Sequence, residues 1–338
     1  MRELTIAAGA VRALMEFAVS RGANRETLAE RSRIEPSNLR DRDQRIPFAK
    51  YVALMRAGQE LCRDPALALH FGECVPISEI SLGGLVGAYS ETMAEGLALF
   101  NRYAPLTVEV DMVGTGDRFV YERGNGQVWI IDTRANPNDF PELTESGFAR
   151  MVCTGRRFLG DKALLKAVHV THAEPSYRAE YDRIFRAPVV FRSHRNALLA
   201  DDSWMAQKPP STSRPILDVL KAHSEALLEK LESSKSTRGR VESLLMASLG
   251  NGGATVGGIA GQLGLSRQSL FRKLKAEGTT FEQVLDGLRH TLALRYLSGE
   301  GLSVKETAFR LGFSEPASFS RAFKRWTGTS PVAARRKK

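Results

Sequence analysis

Cysteine, long apolar runs and catalytic signatures are all scarce in this chain. Of its 338 residues only Cys62, Cys74 and Cys153 are cysteines, an odd number with no Cys-x-x-Cys pair. That excludes a disulfide framework and a thiolate zinc site, and it points to a reduced, cytoplasmic protein. No apolar stretch approaches the roughly 18 residues of a bilayer span. The opening MRELTIAAGAVRALMEF carries Glu3, so neither a membrane helix nor a signal peptide is expected. Gly83-Gly84 and Gly87 lack the strand and acidic partner of a dinucleotide site, and no Gly-x-Ser-x-Gly or phosphate-loop string occurs. With no nucleophile, base or cofactor loop to name, the expectation is no enzyme, no cofactor and no metal.

What is present suits folded cores: 43% hydrophobic, 25% charged and 8% aromatic residues, in a length that favours about two domains. The net charge of +10 is not spread evenly. Residues 1–208 balance 27 basic against 27 acidic side chains, residues 209–237 balance 4 against 4, and residues 238–338 hold 17 against 7. All the excess lies in the C-terminal segment, as expected for a polyanion-binding module beside a neutral sensor or assembly domain.

The clearest break is KPPSTSRP (208–215), which sets the domains at 1–208 and 238–338, with 209–237 as a linker. The linker contains the helical stretch ILDVLKAHSEALLEKL (216–231), with Leu217, Leu220, Leu227, Leu228 and Leu231 near one face, and SSKSTRG reads as a polar hinge after it. The first domain opens with helices in LTIAAGAVRALMEFAVSRG, RETLAERSRI, FAKYVALMRAGQELC and TMAEGLALFNRYA. Period-two patterning follows in LTVEVDMVG, DRFVYERG, QVWIIDT, KAVHVTHA and PVVFRS, with one helix, PELTESGFARMVCTGRRFLG, among the strands. That makes the first domain α+β.

In the second domain the sequence repeats itself. TVGGIAGQLGLS (255–266) matches SVKETAFRLGFS (303–314) at Val256/Val304, Ala260/Ala308, Leu263/Leu311, Gly264/Gly312 and Ser266/Ser314. After one inserted residue, Leu270/Phe319, Arg272/Arg321, Leu274/Phe323 and Lys275/Lys324 fall into register. Each copy has the anatomy of a helix-turn-helix: a short helix with a mid-course Ala, a Gly where φ > 0 is needed, and a Ser as N-cap of the second helix. The units span about 255–276 and 303–326 in an all-α domain. Leu270 and Leu274 point inward and leave Gln268, Phe271, Arg272 and Lys275 outside; Phe319, Phe323 and Trp326 point inward and leave Ala317, Ser320, Arg321 and Lys324 outside. FEQVLDGLRHTLALRYLSG (281–299) is a linking helix, about 281–298 and roughly 27 Å long. That length suits two second helices placed in successive major grooves about 34 Å apart.

Residues 238–338 resemble the DNA-binding domain of the AraC/XylS family of bacterial transcription regulators, most specifically in AFRLGFSEPASFSRAFKRWTGTSP (308–331). The resemblance implies base contacts from Gln268, Phe271 and Arg272 in the first unit, and from Pro316, Ala317, Ser318, Ser320 and Arg321 in the second. Phosphate contacts are expected from Ser266, Arg267, Lys273, Lys275, Ser314, Lys324 and Arg325. Phe271 departs from the usual polar residue and suits a thymine methyl instead. Pro316 and Ala317 are poor hydrogen-bonders, so the first unit is expected to carry most direct readout, with Arg321 the best-placed reader in the second. DPALALHFG, SLGGLVGAYSETMAEGLALFNRYAPLT and APVVFRSHRNALLADDSWM resemble the arabinose-binding-like effector domain of the branch with ornithine- and virulence-linked regulators. The expected protein is a transcription regulator, an activator meeting promoter DNA and RNA polymerase as a homodimer, and responding to a small-molecule effector that no motif identifies.

Other features weigh less. RETLAERSRIEPSNL imitates a third helix-turn-helix, but it is in the neutral domain and Pro36 interrupts it. His169 and His172 fall on opposite faces of a strand and read as structural. Asp139, Glu142 and Glu145 read as a solvated helix face or dipole complement rather than a site for a cationic ligand. The tail RRKK (335–338) reads as a disordered electrostatic helper. Two rival classes stay open: an effector-processing enzyme with a DNA-binding tail, and an architectural protein that binds DNA without choosing sequence.

Overall fold

Strands with period-two burial and helices with an apolar stripe build two separate packing units, Met1–Leu228 and Glu229–Lys338, in a computed structural model. It describes residues 4–113, 116–159, 165–209, 212–249, 255–299 and 302–336. The division falls inside the helix Arg214–Lys235, beyond the proline-rich 208–215. The physical reason is that Leu217, Leu220 and Leu228 pack with Val86, Leu99 and Tyr103 of the first unit.

The first unit is α+β. Strand β1 (Thr5–Ala7) pairs antiparallel with β2 (Arg45–Pro47). A five-stranded sheet comprises β3 (Phe119–Gly124), β4 (Gln127–Asp132), β5 (Leu165–His169), β6 (Val189–Val190) and β7 (Asn196–Asp201), in the order β3-β4-β7-β5-β6. Only β5 and β6 run parallel. Asn125-Gly126 turns β3 into β4 with φ of 52° and 70°, the positive values a two-residue hairpin needs. Val128, Ile130 and Asp132 form the buried face of β4. Helix Glu142–Leu159 covers that face, joining Phe148, Ala149 and Val152 to Val128, Ile130, Val168 and Leu198 in one core. A second core gathers Val11, Leu14, Tyr51, Leu54 and Phe71 from the surrounding helices. A Cβ at Gly72 would strike the Ser146 carbonyl, so glycine is what lets helix Leu67–Cys74 approach Glu142–Leu159.

Several expectations are corrected here. LTVEVDMVG is not a strand: residues through Thr107 finish helix Met93–Thr107, and Val108 and Met112 make only isolated bridges to Ile6 and Arg134. The central strand is instead β7, NALLAD, whose Ala and Leu run lacks polar alternation because Asn196, Ala197, Leu198 and Ala200 are all buried. Residues 5–7 leave the first helix to form β1, and helices Leu67–Cys74, Ile77–Ile80, Leu82–Ala88 and Arg178–Phe185 add to those expected. The polar hinge shrinks to Ser236, which caps helix Thr237–Ser248 through the Gly239 N–H. RETLAERS is followed by a 3-10 turn, Pro36–Leu39, with no second helix behind it. Of the tail, Arg335 and Arg336 end helix Pro331–Arg336, while residues 337–338 lie outside the described residues.

Of the acidic cluster, Asp139 is exposed, Glu142 is half-buried at the start of helix Glu142–Leu159, and Glu145 alone departs from a solvated face. Glu145 is 1% exposed. Its Oε1 accepts from the hydroxyls of Tyr177 (2.8 Å) and Tyr181 (2.7 Å), and its Oε2 has no partner. His172 Nδ1 meets the Ala173 carbonyl at 2.8 Å, and its Nε2 lies 2.9 Å from the Tyr181 hydroxyl, whose single proton goes to Glu145. His169 Nδ1 meets Ser193 Oγ at 3.0 Å. No group of three metal-ligating side chains occurs among the described residues.

Burial pushes the Glu145 carboxyl up to about 7 from 4.5, against the two tyrosine hydroxyls that favour its charged form. Between those values the folded chain binds a proton that the unfolded chain has released, so this group's contribution to stability falls as pH rises, by roughly 3 kcal/mol in all. Glu145→Gln is expected to flatten that slope and to be neutral or stabilising at pH 8. Urea midpoints of both proteins at pH 5 and 8 check this; an unchanged slope in the variant contradicts the assignment.

Candidate nucleic-acid interface and effector cavity

In the second unit every described element is helical. Thr255 caps helix Val256–Gln262, and Ser266 caps Arg267–Ala276 by accepting from the Ser269 N–H at 3.1 Å. Thr280 and Gln283 form a capping box at the start of Phe281–Leu294, which continues as one π-helical turn, Arg295–Gly299. Ser303 and Glu306 form another at Val304–Arg310. The second copy then departs from expectation, because its N-cap is Glu315 and not Ser314, and Glu315 makes no side-chain cap bond. Pro316 opens helix Pro316–Thr327 at the position where a missing N–H costs nothing and a fixed φ helps. The inserted residue in the repeat is thus spent on a proline start.

Gly264 and Gly312 make the two turns with φ of 66° and 73°. Beyond that they differ. A Cβ at Gly264 meets nothing within 4 Å, whereas one at Gly312 would lie 2.8 Å from the Leu249 carbonyl oxygen.

Two cores hold the units. Val241, Leu245, Ile259, Leu270, Leu274 and Leu288 belong to one. Ala293, Leu297, Ala308, Leu311, Phe319 and Phe323 belong to the other. The linking helix feeds both, and Leu292 packs against each. Arg289 Nε donates to the Leu311 carbonyl at 2.9 Å while its guanidinium sits 4.4 Å over the Phe313 ring, fastening the second turn to the linking helix. Arg325 pairs with Asp286 at 2.6 Å.

With Leu270 and Leu274 buried, an advance of about 100° per residue puts Gln268, Arg272 and Lys275 at the centre of the outer face, with Phe271 and Lys273 on its flanks. Ser266, Arg267, Gln268, Arg272, Lys273 and Lys275 are all exposed, and Phe271 is 42% exposed, a large apolar ring left without cover. In the second unit Ala317, Arg321 and Lys324 are exposed on the outer face, and Ser314 is exposed before the helix. Pro316, Ser318 and Ser320 are half-buried. The Ser320 hydroxyl donates to the Pro316 carbonyl at 3.0 Å, and Ser318 accepts from Arg321 at 3.1 Å. Fewer free donors therefore face outward there than in the first unit.

The first unit contains a cavity of about 180 Å³ that no sequence motif announced. Helices Leu82–Ala88, Met93–Thr107 and Glu142–Leu159 contribute to its wall, which is mainly apolar, with Arg118 and Arg150 the only charged residues there among the described residues. Tyr51, also in the wall, is pushed up to about 12 by burial, against the pull of both guanidiniums. Gly87 and Gly96 let two of these helices touch: a Cβ at Gly96 would lie 3.1 Å from the Gly87 carbonyl oxygen. The sequence showed this glycine run, but its use in close helix packing depends on the fold.

A sensor-like α+β unit with an apolar cavity, joined to a basic unit of two helix-turn-helix motifs on one linking helix, is the architecture of an effector-responsive transcription regulator. Residues 22–209 match the Arabinose-binding domain of AraC transcription regulator, N-term, and residues 259–337 match the Helix-turn-helix domain. The chain belongs to the AraC family of transcription regulators. It is 26% identical over 323 residues to the Ornithine utilization regulator of Pseudomonas aeruginosa, covering 94% of this chain and 93% of that one. It is 24% identical over 322 residues to the HTH-type transcriptional regulator VirS of Mycobacterium tuberculosis, covering 92% and 90%. Among solved structures, transcriptional regulator CdpR from Pseudomonas aeruginosa aligns over 96% of this chain and 97% of its own, with 23% identity and a TM-score of 0.46.

The two turn glycines give a paired prediction. Gly264→Ala is expected to cost about 1–2 kcal/mol, the strain of a left-handed alanine. Gly312→Ala is expected to cost more, because the Leu249 carbonyl must also move. Thermal unfolding of the two full-length variants compares them, and equal losses would contradict the close approach at Leu249.

Proposed function

We propose that this regulator reads two promoter blocks about one helical turn apart, one with each helix-turn-helix unit. The observation that carries the reading is the pair of exposed basic helix faces whose supporting cores share one linking helix. Gln268, Phe271 and Arg272 supply most of the base readout, Phe271 by packing on a thymine methyl. Arg321 reads in the second unit, with Pro316, Ala317, Ser318 and Ser320 adding shape and apolar contact. Ser266, Arg267, Lys273, Lys275, Ser314, Lys324 and Arg325 hold phosphates.

The effector acts by population shift, changing how the first unit presents or pairs the DNA-binding units so that two weak half-site energies combine. Helices Leu82–Ala88 and Met93–Thr107 line the cavity and also hold Leu217, Leu220 and Leu228 of the helix that leads toward the DNA-binding segment. Glu225 of the same helix is held down at about 2 by the Arg102 guanidinium fork and the Tyr103 hydroxyl. This arrangement supports coupling between cavity and linker. The reading extends to a cytoplasmic homodimer that activates transcription by contact with RNA polymerase and catalyses nothing. The family resemblance supports this, and the exposed Ile216 and Val219 offer an apolar surface for pairing.

Selection of bound sequences from a randomised duplex pool at near-physiological salt tests the reading, since non-specific phosphate attraction is then suppressed. Two enriched blocks one turn apart are expected; sequence-indifferent binding, with effector present or absent, would support the architectural alternative. Arg272→Ala is expected to cost about 1–3 kcal/mol on the selected site and to relax preference at one base. Lys275→Ala is expected to weaken all sequences alike and to reduce the salt slope by about one phosphate contact. Competition titrations at two salt concentrations separate the two behaviours.

A further inference from the structure

The cavity of the first unit has a charge pattern that selects its occupant. Arg118 and Arg150 are 5% and 8% exposed, and among the described residues no acidic side chain lines the space they face. Arg118 forms a buried ion pair with Asp132, but at 3.6 Å from Oδ1 its Nε is beyond hydrogen-bond reach and has no hydrogen-bond partner. Arg150 Nε donates to the Val75 carbonyl at 2.8 Å, but its Nη2 has no partner, and it forms no ion pair among the described residues. Arg134, close to Asp132, donates from Nη1 and Nη2 to the Phe140 and Pro137 carbonyls and to Thr144, while its Nε is also without a hydrogen-bond partner. The Thr107 and Thr154 hydroxyls, also in the wall, are buried without partners.

A buried guanidinium short of hydrogen-bond partners carries a heavy desolvation cost, and two beside one cavity repel each other. Burial, with the Arg118 charge adding to it, pushes the Arg150 guanidinium down to about 10, still charged at neutral pH. Each ring-stacked arginine is held in place, Arg118 lying 5.1 Å from the Phe119 ring centre and Arg150 4.9 Å from that of Phe71. Such fixed forks match the geometry of a carboxylate. The rest of the wall, with Ile80, Leu97, Phe100, Val108 and Leu143, offers a hydrated dianion nothing but desolvation and offers an apolar tail a place to be buried.

We propose that this cavity binds a monocarboxylate with an apolar body, its carboxylate held by Arg118 and Arg150. A space of about 180 Å³ is slightly larger than one of about 150 Å³ that holds benzene, which sets the body at about six to eight carbons. The inference rests on the regulator reading only in naming this ligand as the effector. Filling the cavity fixes the spacing of helices Leu82–Ala88 and Met93–Thr107, on which Leu217 sits.

The test is calorimetric titration of the full-length protein, in buffer free of carboxylate, phosphate and sulfate, with benzoate and octanoate against benzyl alcohol, 1-octanol, octylamine and inorganic phosphate. At least one carboxylate is expected to bind at least tenfold more tightly than its matching alcohol, with the amine and phosphate weaker still. Arg118→Gln and Arg150→Gln are each expected to lose at least tenfold in carboxylate affinity and to leave the alcohol's affinity unchanged. Alcohols binding as well as carboxylates, phosphate binding as well as either, or no binding by any probe would overturn the proposal. Should a variant fail to fold by circular dichroism, the comparison of probes on the unmodified protein decides alone. Duplex selection with the same preparation separates the two readings. Selected blocks without carboxylate binding leave the two-block promoter reading and remove this ligand, whereas carboxylate binding without sequence selection leaves the anion site and removes the two-block reading.

Discussion

One helix belongs to two hydrophobic cores, and the DNA-binding unit depends on that sharing. Phe281, Val284 and Leu288 complete the core under the first helix-turn-helix, Ala293 and Leu297 complete the core under the second, and Leu292 touches both. Neither core can be lost without releasing one end of the linking helix. The spacing of the two outer faces is therefore set by side-chain packing and not by the connecting turns. Arg289 and the Arg325–Asp286 pair add polar fastenings to the same helix. Its buried apolar contacts carry most of the stabilisation, since an exposed ion pair contributes at most about 1 kcal/mol.

The first unit solves a different problem: it keeps a space open inside a well-packed domain. Glycines at the contacts among helices Ile77–Ile80, Leu82–Ala88 and Met93–Thr107 bring backbones together around the cavity, where larger side chains would push the helices apart. The same helices hold the first half of helix Arg214–Lys235 through Val86, Leu99 and Tyr103. A change of a few tenths of an ångström at the cavity has few places to dissipate in such a wall, because closely packed interiors transmit strain. Glu225, clamped by Arg102 and Tyr103, lies on that route as well.

The repeat was legible because its signals are local. Helix starts need capping side chains within one turn, tight turns need glycine, and the four-residue inward spacing of Leu270 and Leu274 needs only helical geometry. Those features follow from neighbouring residues, and they anticipated the outer faces of both second helices. Ser314 misled because the proline two residues after it offered a better helix start than a serine cap. In the first unit LTVEVDMVG had the right periodicity without a neighbouring strand to receive its full length, and NALLAD had a neighbour on each side without the periodicity. A strand buried on both faces loses the alternation that identifies it.

The sequence by itself determined the division into a neutral and a basic part, the duplicated helix-turn-helix, the serine cap of its first unit, both turn glycines, and the polar faces presented outward. Each is written in residues close together along the chain. Tertiary structure alone decided which strand is central, that Glu145 is buried between two tyrosines, and that Arg118 and Arg150 face one apolar cavity. Those outcomes depend on residues far apart in sequence, and a side chain's solvation, on which its charge and its chemistry depend, is fixed only when distant segments close around it.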